Sequence, residues 1–127
     1  MLVSHGKLAL EMIRSAEMIC GPLENVSALC LEPTDDLDEY REKLSALLNL
    51  YPSGAFLLID LFGGTPFNSV VAVSGERNLH GVTGVNLGVL LEVASMRDSM
   101  SLSELGECAE ETLRASMINL KKFQEEI

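Results

Sequence analysis

A chain of 127 residues with 47% hydrophobic content has room for one domain and one core, because a chain of about this size hides roughly two thirds of its unfolded surface on folding. Nineteen acidic residues against nine basic ones give a formal net charge of −10, which opposes binding to nucleic-acid phosphates or to an anionic membrane face. No apolar run approaches the roughly 20 residues of a membrane-crossing helix, and no basic stretch leads into an apolar one near the start. A soluble, cytoplasmic protein is therefore expected, with small molecules or other proteins as partners. Cys20, Cys30 and Cys108 are odd in number, widely spaced and free of any C-x-x-C pattern, so they are predicted to be core thiols in a reducing compartment.

Met1 to Ser4 is a short apolar run that stops at His5-Gly6. It predicts the end of a strand, and its abrupt opening leads us to expect two or three further residues upstream. From Lys7 to Cys20, the polar residues Lys7, Glu11, Arg14 and Glu17 recur every three or four positions while Leu8, Met12, Ile13, Ala16 and Ile19 fill the other side. That is the period of a helix, and Gly21-Pro22 stops it. Val26 to Leu31 is predicted as a second strand, followed by a loop of breakers and acids, Glu32-Pro33-Thr34-Asp35-Asp36. Leu37, Tyr40, Leu44, Leu47, Leu48 and Tyr51 trace the apolar stripe of a second helix whose start is rich in acids, and Pro52-Ser53-Gly54 breaks it.

The run Ala55-Phe56-Leu57-Leu58-Ile59 has the length and continuous apolar character of a strand buried on both faces. It stops at Asp60 and passes through Gly63-Gly64 into Thr65-Pro66, which predicts a helix start with Thr65 as cap and proline in the first turn. Free backbone donors, the positive end of a helix dipole and glycines without Cβ atoms make such a turn able to hold an anion. The same turn also occurs with no ligand wherever a strand feeds a helix in an α/β protein. Beyond a turn at Ser74 to Asn78, Leu79 to Thr83 is a fourth strand candidate, and Gly84-Val85-Asn86 leads into a helix from Leu87 to about Met96. Ser101 with Glu104 three residues on forms a capping box for a further helix carrying Leu102, Leu105, Ala109 and Leu113. The tail from Ser116 to Ile127 fits two readings, a continued helix or an edge strand.

Strand and helix alternate four times, which predicts a doubly wound, mostly parallel α/β sheet of about four strands with helices on both faces. In the order second-first-third-fourth the first and third strands are neighbours on either side of the point where strand order reverses, and reactive groups collect there at the carboxyl ends. His5 ends the first and Asp60 the third, so the fold is expected to bring them into one crevice. Asp60 bonded to one ring nitrogen would fix the tautomer and leave the other nitrogen as a nucleophile. A phosphoryl group could then sit at Gly63, Gly64 and Thr65. The pair could equally serve packing alone. A metal site built from His5, Asp60 and His80 is weaker, because no two of them share a short ligand motif. A serine hydrolase lacks G-x-S-x-G, and Ser4 and His5 point to opposite sides of a strand. A nucleotide kinase lacks its phosphate-binding loop.

Taken together, Ser4-His5-Gly6-Lys7-Leu8-Ala9, Ser15 to Gly21, Asp60-Leu61-Phe62-Gly63-Gly64-Thr65-Pro66-Phe67-Asn68 and Gly84-Val85-Asn86-Leu87 resemble the enzyme IIA domain of the mannose class of the phosphoenolpyruvate-dependent sugar phosphotransferase system. The resemblance runs in order over nearly the whole chain. It implies a cofactor-free phosphotransferase whose histidine, here His5, accepts a phosphoryl group from the phosphocarrier protein HPr and passes it to a histidine on the enzyme IIB partner. The acid that orients the family's histidine falls on Asp60, and the hydroxyl after its double glycine on Thr65. It also implies a homodimer exchanging an antiparallel C-terminal strand drawn from Ser116 to Phe123. Contact with a membrane would be only indirect, through the transporter components, which also choose the sugar. Gly88 stands where the family commonly has proline. The reading from another class is a catalytically silent regulatory or binding module with the same fold.

Overall fold

In the computed structural model, which describes residues 1–127, the chain runs β1 (Leu2–His5), α1 (Leu8–Cys20), β2 (Ala28–Leu31), α2 (Leu37–Asn49), β3 (Ala55–Ile59), α3 (Thr65–Ser74), β4 (Leu79–Thr83), α4 (Leu87–Met96), α5 (Leu102–Ala115) and α6 (Leu120–Glu126). The four strands form one sheet in the order β2-β1-β3-β4, and every pairing is parallel. This is the predicted doubly wound order. Neighbouring strand residues point to opposite faces, so each strand feeds two cores. Leu2 and Leu58 join Ile13, Val89, Leu90, Val93 and Leu105 on the face covered by α1, α4 and α5. Val3, Leu57 and Ile59 join Tyr40, Leu44, Leu48 and Val70 beneath α2 and α3.

The register fixes the site. Val3 lies opposite Ile59 and His5 opposite Leu31, so the chain leaves β1 at His5 and β3 at Asp60 on the same end of the sheet. The Asp60 N–H donates to the Val3 carbonyl at 3.2 Å, extending the ladder to the carboxylate itself.

Helix starts follow the local chemistry. Asp36 caps α2 by accepting from the Glu39 N–H at 3.0 Å. Ser101 and Glu104 form the predicted capping box, each side chain accepting from the other's backbone N–H. Those bonds favour the ionised form of Glu104 and hold its carboxyl below the usual range. Asn86 caps α4 by accepting from the Val89 N–H at 2.8 Å, and its amide donates to Ser116 Oγ at 2.8 Å. Gly88, in the first turn of that helix, therefore follows a capped and tethered start.

Two expectations are corrected, and one open reading is decided. Cys20 is exposed at the end of α1, while Cys30 and Cys108 are half-buried, because α1 turns that last residue outward past the core. The second helix ends at Asn49 rather than at Tyr51. In the single chain the tail takes the helical one of its two readings: residues Leu120–Glu126 form α6, capped by Asn119 accepting from the Lys122 N–H at 3.1 Å. A helix closes its hydrogen bonds within one segment, whereas a strand needs the open edge of another. No residue of α6 is buried, and Met117, Ile118, Leu120 and Phe123 are exposed.

Candidate active site

The turn from β1 to α1 presents His5. Ser4 is buried, and its Oγ accepts from the Ala9 N–H at 2.8 Å, tying the first turn of α1 back to the strand. Lys7, at the formal cap position, contributes no side-chain bond. Gly6 takes φ +55, a left-handed conformation suited to glycine, and its N–H donates to the Leu31 carbonyl at 2.7 Å. With Ser4 turned in, His5 is turned out, and its side chain is 47% exposed.

Asp60 reaches His5 from the neighbouring strand. One oxygen, Oδ2, accepts from the His5 backbone N–H at 2.9 Å and lies 2.7 Å from His5 Nδ1. A carboxylate can only accept, so Nδ1 carries a hydrogen and Nε2 of the neutral ring keeps its lone pair. The Asp60 side chain is only 9% exposed, which makes the ion–dipole contact stronger than it would be in open water. The pair thus presents an oriented imidazole with one free nitrogen.

The loop after Asp60 closes on that nitrogen. Gly63 takes φ +80, and Gly64 packs so closely that a Cβ there would lie 2.7 Å from His5 Cε1 and 3.2 Å from Nε2. Asn68 holds the loop, its backbone N–H donating to the Gly64 carbonyl at 2.9 Å and its amide to the Gly63 carbonyl at 3.1 Å. Asn68 belongs to the motif read from the sequence, but nothing in the spacing announced this tether. The predicted Thr65 cap is not formed. Gly64 is the cap residue, Thr65 is the first helical residue, and no side chain caps α3. The shift follows from Pro66, whose fixed φ and missing N–H suit it to the first turn without requiring Thr65 outside it. At such a helix start the N–H groups of Thr65 and Phe67 have no intrahelical partner, and the helix opens directly after Gly64, the residue packed on the imidazole.

His80 does not join the site. It pairs in register with Phe56, three residues before Ile59 and so about 10 Å down the sheet, and its Nε2 meets Asn78 Oδ1 at 3.1 Å. Leu61 and Phe62 are exposed on the rim of the crevice, 58% and 73% respectively, with Phe62 set edge-on to Phe67 at a ring separation of 5.1 Å.

A histidine ending the first strand, an acid ending the third and a double glycine opening a helix on the imidazole occur here in one chain. The family model EIIA-man, described as the PTS system fructose IIA component, matches residues 1–110. The chain belongs to the EIIA-man family. It is similar to the mannose-specific EIIAB component of Escherichia coli strain K12, 33% identical over 122 residues. That match takes in 93% of this chain and 38% of the relative, so the chain spans well under half of that protein's length. It is also similar to the fructose-specific EIIA component of Bacillus subtilis strain 168, 31% identical over 104 residues, 80% of this chain and 71% of the relative. Among solved structures, the mannose/sorbose specific IIA subunit of Enterococcus faecalis superposes with a TM-score of 0.84 at 30% identity, covering 93% of this chain and 90% of that one. EIIA-man is a family of phosphotransferase-system IIA components. No helix of this EIIA-man chain is long and apolar enough to cross a membrane.

Proposed function

We propose that this chain carries a phosphoryl group on His5 Nε2, accepting it from phospho-HPr and passing it to a histidine on enzyme IIB. The observation that carries the reading is the 2.7 Å contact of Nδ1 with Asp60, which leaves Nε2 as the free nucleophile beside Gly64. In the transfer the Nε2 lone pair forms a bond to phosphorus, and the bond from phosphorus to the donor breaks with its electron pair staying on the donor. The ring, holding hydrogen on Nδ1, gains positive charge that Asp60 offsets. Backbone N–H groups at Gly63, Gly64 and Thr65 are suited to the phosphoryl oxygens. The onward step is the same displacement, with the partner's histidine as nucleophile and His5 as leaving group.

Incubation with phosphoenolpyruvate, enzyme I and HPr tests this reading directly. Intact mass is expected to rise by one phosphoryl group, and the gain to vanish on acid treatment. No mass gain would leave a catalytically silent module of the same fold. A second measurement reads the close approach at the double glycine: Gly64→Ala is expected to push the ring off Asp60 and slow uptake about 10²-fold, since a misplacement of that size costs on this order. Circular dichroism should confirm that the variant folds, and an uptake rate equal to the wild type would remove Gly64 from the site.

We further propose a homodimer. β4 is an edge strand of the sheet, and the tail exposes Met117, Ile118, Leu120 and Phe123. Exchange of such a segment with a second copy would cover both at once. Light scattering should find a dimer whose population falls on dilution, and truncation after Leu113 should give monomer or insoluble protein. A full-length monomer over a wide concentration range would overturn the exchange and leave the chemistry of His5 untouched.

A further inference from the structure

Two buried side-chain oxygens lack a hydrogen-bond partner within the protein, Tyr40 Oη and Asp60 Oδ1. Buried polar atoms are nearly always paired, so two orphans near one site call for a physical account. These two are complementary: a phenol hydroxyl can donate, and an ionised carboxylate can only accept. Tyr40 is 2% exposed in the first turn of α2 and packs in the cluster of Val3, Ile59 and Val70. The strands carrying Val3 and Ile59 lead directly to His5 and Asp60. Burial, and after it the negative charges of Asp60, Cys30 and Asp35, raise Tyr40 above the ordinary tyrosine range, so the hydroxyl keeps its proton. The adjacent Arg41 is engaged elsewhere, its Nε donating to Ser69 Oγ at 3.3 Å.

We propose that Tyr40 is a positioning residue for His5, its hydroxyl donating to Asp60 Oδ1 across one bridging water. The inference rests on the phosphoryl-transfer reading above and adds a residue to it. Asp60 Oδ2 already takes both contacts to His5, the backbone N–H and Nδ1. With Oδ1 unheld, the carboxylate can turn about its last torsion, which is broad for an aspartate, and carry Oδ2 off the imidazole. A donor on Oδ1 fixes that torsion, and with it the tautomer and the direction of Nε2. A phenylalanine or leucine would fill the same core volume and leave the carboxylate loose.

The test has two independent arms. In the unphosphorylated protein the Tyr40 ring Cζ resonance is expected to move when Asp60 is replaced by alanine and to stay put in Glu39→Ala, an exposed acid of the same helix. A resonance unmoved by Asp60→Ala overturns the contact. In the kinetic arm, Tyr40→Phe is expected to slow transfer from phospho-HPr at saturating donor about tenfold with KM unchanged. Leu44→Ala, in the same core cluster, should lose stability while keeping the rate per folded molecule. A Tyr40→Phe protein with the wild-type rate, or a loss matched by Leu44→Ala, overturns the positioning role. Failure of the wild type to take up any phosphoryl group overturns the functional reading itself and the role in transfer with it. A failed Cζ arm with uptake intact overturns the Tyr40 inference alone.

Discussion

Replacing His5 by alanine is expected to abolish phosphoryl uptake altogether, with no gain in intact mass after incubation with phosphoenolpyruvate, enzyme I and HPr. The expectation is absolute because no other group in the crevice can take its place. Asp60 is engaged by the His5 backbone N–H and ring, His80 lies down the sheet beside Asn78, and the N–H groups at the start of α3 can bind an anion but cannot form a bond to phosphorus. The fold should survive, since the His5 side chain is 47% exposed and its backbone ladder does not depend on the ring. Unchanged circular dichroism and an unchanged melting temperature to within a few degrees would confirm that chemistry alone was lost. Retained, acid-labile phosphoryl uptake in the variant would move the acceptor to another residue and dismantle the proposal.

The second large effect is expected at Asp60. Asparagine has nearly the same shape and can still accept from the His5 backbone and from Nδ1–H, so the geometry of the pair can be kept. What it cannot do is offset the positive charge that the ring gains as Nε2 bonds to phosphorus. Removing one preorganised electrostatic partner from a shielded site costs about 10²–10³-fold in rate, and single-turnover transfer from phospho-HPr to Asp60→Asn is expected to fall by that order. The side chain is 9% exposed, so water cannot readily substitute for the lost charge. A variant that transfers at the wild-type rate would show that Asp60 holds the loop and does no more.

Much of this was legible along the chain because the signals are local. The continuous apolar run Ala55 to Ile59 has the length of a strand covered on both faces, and it forms one whose side chains join both cores. The Ser101–Glu104 capping box reads from two residues three apart, and both of its bonds are present. The ends of the helices were less secure because caps compete at neighbouring positions. Thr65 has the chemistry of a cap, yet Gly64 occupies that place, since the loop is held from the other side by Asn68. The tail carried two compatible patterns, and a single chain satisfies the one whose hydrogen bonds it can close by itself.

The alternation of strands and helices, the carboxylate at the end of β3 and the glycine turn beyond it can be read along the chain, because periodicity, apolar runs and breakers act over a few residues. That His5 and Asp60, 55 residues apart, are joined by two hydrogen bonds, that Gly64 packs against the imidazole, and that Tyr40 of α2 packs with Val3 and Ile59 are contacts between distant parts of the chain. Those contacts depend on the register of β1 against β3, Val3 opposite Ile59. A slip of one residue would turn every side chain to the other face. Register is set by how two cores fill on opposite sides of one sheet, which no single stretch of the chain contains.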